Sequence, residues 1–473
     1  MSNANGGVGS AYRAALVAAT VALLGAGTVL ALAGAARSDL PLAAVGGTMA
    51  GLALLVAVAV GWTDGLTALV LTLPLPALTD TPALRLTVAA PATGLVVLGW
   101  LLRKAVYRER LLPSELPHLP LTLTVAAVTL SALIGTSFAS GARELLNFAV
   151  MMALLVVATD ALGASRGRSE SLVSLLVLVG GACGTLAVLE AVDLLPGRFP
   201  RWGTPYHRAA LGFGQPNALA MFLAPLIPLA VYRLEIAATP FARRAAVAAL
   251  AAMILGLTAT FSRGSWLAVV AGTLVLLPAG QIRWAVRLWL ATIATAVLVD
   301  LISGGMLRDT FQRTLADWVL EQRAALMLAG VLMFLAQPLA GVGLGGYATE
   351  LDRFGAQIPQ LFDYLPTPHN ALVQVAAEAG LIGLIPFVWL LAHVLVRAIR
   401  RARDAAHDPA EAPTGLALRR ALVWSAGTVI AVGFSDWIFS HGPGQVAVLI
   451  LALCLSASDG AFPPARTHAA DRA

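Results

Sequence analysis

The sequence predicts an all-α polytopic membrane protein with about 12–14 transmembrane helices and one large extracytoplasmic loop that contains surface helices. Three observations carry this. Of 473 residues, 59% are hydrophobic and only 12% are charged, against about 25% charged in a soluble domain. The apolar residues fall into runs near the roughly 20 residues that a helix needs to cross a bilayer. The basic residues collect in connections on alternate sides of those runs.

In chain order the runs lie near 12–35, 41–62, 65–80, 84–104, 119–138, 143–163, 171–194, 213–234, 244–261, 265–281, 284–303, 371–397, 416–435 and 442–458. The first is longer than a signal-peptide core and is preceded only by Arg13, so it reads as an uncleaved span despite the weak cleavage pattern Ala33-Gly34-Ala35. Residues 245–278 are almost continuously apolar. One helix of that length would run about 50 Å, far beyond a bilayer core. The chain must therefore break, and Ser262-Arg263-Gly264 is the break, with Gly264 letting the backbone turn. With the amino terminus placed inside, 20 of the 31 Lys and Arg face the cytoplasm, including six arginines between 397 and 420. Both termini are then cytoplasmic, and the long connection 304–370 is outside. Within it, Met306 to Gln337 has a helical pattern. Its short apolar part, Ala324–Ala336, suits a helix lying on or dipping into the outer face. Gly341 to Gly346 reads as a flexible turn. The organisation expected is 1–195 as N-terminal membrane helices, 196–395 as a catalytic region, and 396–473 as C-terminal membrane helices with a cytoplasmic tail.

Several classes are excluded. The net charge of +6 comes from arginines spread over short loops, so no nucleic-acid surface is implied. Cys183 and Cys454 lie inside apolar runs and read as small core residues. The Gly341–Gly346 run lacks the Gly-Lys-Ser/Thr and βαβ context of a phosphate loop. No His/Glu, paired-Cys or Asp-x-Asp metal pattern falls on the outer side, so neither a metal nor another cofactor is expected.

Candidate residues gather on the outer side. Arg263 sits between apolar stretches, where a charge usually faces a protein interior or polar cavity; the alternative is an arginine in a short inter-span loop. Arg198, Arg201 and Arg208 share the connection before Gly212-Phe213-Gly214-Gln215-Pro216-Asn217. Guanidinium groups keep their charge and bind phosphate oxygens in bidentate fashion, so these arginines suit a diphosphate or, more simply, anionic headgroups. Asn217 either caps the next span or bonds a sugar. Of the outer histidines His207, His369 and His441, His369 stands on a proline-stiffened turn before Asn370 and a new span. It suits a general base, or the turn is only a helix cap. Asp436 orients a catalytic group or caps a helix.

Taken in order, these segments resemble the O-antigen ligase and polymerase family of bacterial membrane glycosyltransferases. The pieces are Arg208 with Gly212–Asn217, Phe261-Ser262-Arg263-Gly264-Ser265-Trp266, and Arg323 ahead of Gln337–Gly345. His369-Asn370-Ala371-Leu372 through Glu378-Ala379-Gly380-Leu381-Ile382-Gly383 completes the set. The resemblance spans about 200–395. It implies a metal-independent, inverting transferase of the bacterial inner membrane working on the extracytoplasmic face. The donor would be a glycan on undecaprenyl diphosphate and the acceptor a lipid-A core sugar or a growing glycan. Other polysaccharide-assembly proteins would be partners beside the lipid bilayer. Arg208 and Arg263 would match the family's essential arginines and His369 its loop histidine. Arg201, Asn217, Ser262, Arg323, Asn370 and Asp436 would contact substrate, and Arg201 is the alternative to Arg208 because the spacing to Pro216-Asn217 is stretched. Two rivals stand beside this reading. One is a peptidoglycan-type glycan polymerase using an outer carboxylate such as Asp309, Asp317, Asp352 or Asp363. The other is a lipid-linked oligosaccharide flippase, which should show inverted repeats that this sequence lacks.

Overall fold

The structure is a computed structural model. It describes residues 65–74, 77–80, 85–87, 89–135, 138–163, 166–197, 199–200, 207–302, 318–355, 367–438 and 443–456, with the single residues Gly305 and Arg308. The expected spans 12–35 and 41–62 lie outside these residues, as do Arg198, Arg201, Asp309, Asp317, Asp363 and His441.

The architecture is all-α. Helices α1 (Gly65–Thr72), α2 (Ala89–Tyr107), α3 (His118–Ile134), α4 (Phe138–Gly163) and α5 (Arg166–Ala191) come first. Then follow α6 (Pro216–Leu223) and α7 (Ile227–Glu235), which continue one another through a 3-10 turn, α8 (Pro240–Ala259), α9 (Arg263–Gly272) and α10 (Ile282–Ile302). Helices α11 (Trp318–Ala336), α12 (Gly346–Gly355), α13 (Ala371–His407), α14 (Pro413–Gly433) and α15 (Pro443–Ser456) complete the chain. Among the described residues, six helical stretches are long and apolar enough to cross a membrane, and three more are apolar but shorter. The expected run 65–80 is corrected: only Gly65–Thr72 is helical, and Ala77–Asp80 is a strand (β1) paired antiparallel with Arg85–Thr87 (β2). Pro74 and Pro76 explain this, since proline removes donors and disfavours helix in the residue before it.

Helix α14 is the axis of the bundle. It packs on α7, α9, α13 and α15, and every described residue of α15 is buried. Close approach depends on small residues. Gly184 of α5 and Gly256 of α8 face each other, and a Cβ added at Gly256 would lie 2.5 Å from the Cα of Gly184. This clamp fixes the end of α8 beside the connection that follows α5.

The long connection is not a surface arm. Gly380 holds φ 58° and ψ −159° inside α13, a conformation essentially reserved for glycine. The break frees backbone groups about 10–15 Å into the helix, at 1.5 Å per residue. The segment after α11 satisfies them. Leu381 and Ile382 donate to the carbonyls of Pro338 and Leu339 (2.8 and 3.1 Å), and Val342 and Gly343 donate to those of Ala377 and Glu378 (2.8 and 3.0 Å). Helix α11 packs beside α13 and the chain turns at 337–345, with Gly341, Val342 and Gly343 buried against the break in α13 while Gln337, Pro338 and Leu339 are exposed. The glycine run is packed rather than flexible: a Cβ at Gly343 would lie 2.0 Å from Gly135.

Candidate active site

Chain direction brings one set of helix ends together: the C-termini of α5, α8 and α14 and the N-termini of α6, α9 and α13. The candidate residues sit at these ends. Arg208 lies on a two-residue strand, His207–Arg208 (β4), paired with Phe199–Pro200 (β3). Glu190, buried near the end of α5, accepts from the backbone N–H of Ala210 and Leu211 at 3.0 and 2.8 Å. The N–H of Ala209 bonds the carbonyl of Ala259. These ties fix Arg208. Its Nε donates to the carbonyl of Thr260 (3.0 Å) and its Nη2 to Oδ1 of Asn217 (3.3 Å).

The network continues without interruption. Asn217 Nδ2 donates to Oδ2 of Asp436 at 3.1 Å. The other oxygen of Asp436 faces His369 Nδ1 at 3.3 Å and accepts from the N–H of Trp437 at 2.9 Å. Burial pushes the Asp436 carboxyl up, but the hydrogen bond and charge of His369, the N–H of Trp437 and the charge of Arg323 outweigh it and hold the group below its ordinary value. A carboxylate only accepts, so the nitrogen that faces it, Nδ1, carries a proton, and Nε2 is the atom free to exchange one with a substrate. The side chains of His369 and Asp436 are only 10% and 15% exposed.

Arg263 opens α9, as the break requires, but Gly264 does not make the turn. Phe261 does, at φ 53°, and a Cβ at Gly264 would meet the Ser435 side chain at 2.7 Å. Glycine is needed there for close approach to the residue before Asp436. Backbone strain collects here: Leu211, Phe261 and His369 all adopt positive φ (47°, 53°, 50°), at a cost of about 1–3 kcal/mol each.

Other expectations are revised. Asn217 is not a cap; Gln215 holds that position for α6. Asn370 is the cap of α13, accepting from Leu372 and Val373 at 2.9 and 3.1 Å, while its Nδ2 donates to Phe434 O at 3.3 Å. Its amide thus serves the protein through both oxygen and nitrogen, and Asn370 rather than His369 is the cap. Ser262 is buried, its hydroxyl 3.3 Å from that of Ser265. Phe434 closes α14, so Asp436 is not a helix cap. Arg201 lies outside the described residues. His207 pairs with Asp193 at 2.5 Å. Successive strand residues point to opposite faces, so it faces away from the Arg208 contacts. Asp352 is exposed on α12. Sequence reasoning missed Glu190 and Thr260, and it named Glu378 only as part of a signature without a role. Glu378 is buried in α13 and accepts from Gln374 Nε2 (2.8 Å) and the N–H of Tyr347 (3.3 Å), locking the segment after α11 to the broken helix. The two glycine-bearing signatures, Gln337–Gly345 and Glu378–Gly383, are two halves of that one contact.

Residues 248–388 match the family model described as O-antigen ligase. No curated protein matches the chain. The chain is therefore a multi-pass membrane protein whose segment from within α8 to the first part of α13, the stretch that carries Arg263, Arg323 and His369, is similar to the O-antigen ligase family.

Proposed function

We propose that the protein transfers a glycan from undecaprenyl diphosphate to an acceptor hydroxyl, a lipid-A core sugar or a growing polysaccharide, on the extracytoplasmic face of the inner membrane. The observation that carries this is the hydrogen-bonded line Arg208–Asn217–Asp436–His369 at one end of the helices. Arg208 and Arg263 bind the diphosphate, and Arg323 adds positive charge beside Asp436. Breaking the bond between the sugar and the diphosphate leaves negative charge on the departing group, and preorganised cations there are the largest catalytic contribution. His369 Nε2 takes the acceptor proton, worth about 10²–10⁴-fold, and Asp436 holds the ring and stabilises the imidazolium that forms. Attack by the acceptor oxygen at the anomeric carbon expels undecaprenyl diphosphate and inverts that centre.

The test is reconstitution in liposomes with an undecaprenyl-diphosphate-linked glycan and a lipid-A core acceptor. The reading expects release of undecaprenyl diphosphate and a product of inverted anomeric configuration. Retention of configuration, or glycan crossing the bilayer unaltered with no transfer, would sink it. Sidedness is tested by single cysteines at Asp352 and Ala412, since Cys183 and Cys454 are both buried. An impermeant thiol reagent on intact cells should label the first and spare the second.

A further inference from the structure

Asn217 was read from sequence as a cap or a sugar contact, and its surroundings show a different use. A guanidinium only donates and a carboxylate only accepts. The amide oxygen must therefore face Arg208, at 3.3 Å, and the amide nitrogen Asp436, at 3.1 Å. Reversal would set donor against donor and acceptor against acceptor. Helix α6 does not need this side chain, since its cap is Gln215 and Pro216 fills the first turn. The residue thus bridges two groups of different function, one on the strand after α5 and one after α14.

We propose that Asn217 is a positioning residue that couples the donor arginine to the base. On one side it orients Arg208. On the other it shares the carboxylate of Asp436 with His369, so the donor end and the acceptor end of the reaction communicate through one amide. This rests on the reading above that Arg208 meets the diphosphate and His369 takes the acceptor proton. Hydrogen bonds in a chain polarise one another. A diphosphate that draws the guanidinium protons towards its own oxygens weakens the Arg208–Asn217 bond, and with it the donation to Asp436. The carboxylate then accepts more strongly from His369 Nδ1, so the base is strengthened when the donor is in place. Premature activation of water by an empty site is correspondingly disfavoured.

The experiment is a pair of double-mutant cycles with Asn217→Leu, a side chain of similar volume that makes no hydrogen bond. Donor KM should rise about tenfold and kcat fall about tenfold, each close to 1.4 kcal/mol, with the thermal midpoint little changed. In an Arg208→Ala background the KM effect should vanish. In an Asp436→Asn background the kcat effect should vanish. Asn217→Ser, whose hydroxyl can both accept and donate, should recover part of both losses, and it takes the place of the leucine variant in the cycles if that variant does not fold. Additive cycles, a change in only one of the two constants, or a serine variant no better than leucine would overturn the coupling. If Arg208→Ala left donor KM unchanged or His369→Ala left kcat unchanged, the reading of the site would fall and the coupling with it. If those single variants behave as expected and the cycles are additive, the coupling alone is wrong.

Discussion

The two ends of the helix bundle use their carboxylates differently. At the end away from the site, arginine and lysine meet carboxylates or helix carbonyls and are held there. Arg420 pairs with Glu235 and lies 3.9 Å above the Trp284 ring. Lys104 pairs with Asp160 at 2.8 Å. Arg401 donates to the carbonyls of Cys454 and Leu455, both at 2.9 Å, capping α15. At the site end Arg208 likewise bonds a carbonyl that closes a helix, that of Thr260, and adds the amide of Asn217, while the carboxylate of Asp436 serves a histidine and an amide. Positive φ at non-glycine residues occurs at both ends: Leu211, Phe261 and His369 lie at the site end, and Arg108, at φ 52°, lies at the other. Under the proposed function the first set of charges holds helices together and the second meets the substrate.

His369→Ala should show the largest effect: transfer falls by about two to four decades, while the thermal midpoint in detergent falls only by the modest amount expected for leaving Asp436 without its imidazole partner. A large drop in stability would move His369 into the structural class and erase the contrast. Next is Arg263→Lys, which keeps the charge but loses the planar fork; transfer at matched expression should fall about a hundredfold. Near-normal transfer would make Arg263 an anchor like those at the other end. Arg420→Ala should do the reverse. It leaves Glu235 without its partner and costs about 2 kcal/mol, discounted because Glu235 is about a third exposed. Specific activity per folded molecule should be unchanged. A loss of specific activity without loss of stability would show that the far end takes part in the reaction.

The smallest effect concerns pH. The Asp436 carboxyl is held below its ordinary value when folded. Its contribution to stability is therefore complete above the ordinary carboxylate pKa and is lost as pH falls towards the lower folded value. Thermal midpoints taken between about pH 6 and 3 should fall less steeply in Asp436→Asn than in the parent. Parallel slopes would mean that the carboxylate is not held by His369 and its neighbours.

Much of this was legible in the sequence because the membrane forces a simple code. Runs of apolar residues became helices close to the expected bounds, and the break at Arg263 followed from length alone. The sidedness filter selected His369, Arg208, Arg263 and Asp436, and the structure joins three of them in one network. What could not be read was backbone pairing between distant segments. Gly341–Gly346 carries the composition of a flexible turn, and only the break at Gly380, more than thirty residues on, shows that its N–H groups have partners waiting. The roles of Asn217 and Asn370 were interchangeable on paper, since asparagine caps helices and binds ligands with the same atoms. Which one caps depends on where Gln215 and Pro216 start α6. Glu190 was hidden for a similar reason, as one carboxylate at the end of an apolar run whose partners are backbone amides of another segment.

The central claim is a division of labour, with arginine for the donor and histidine for the acceptor proton, and one paired measurement tests it directly. Binding of undecaprenyl diphosphate and transfer of glycan are measured on the same purified preparations of His369→Ala and Arg208→Ala. The account predicts that His369→Ala binds the lipid diphosphate like the parent yet transfers about two to four decades more slowly, whereas Arg208→Ala loses binding as well. Full transfer by His369→Ala, or loss of binding in both variants alike, would contradict it.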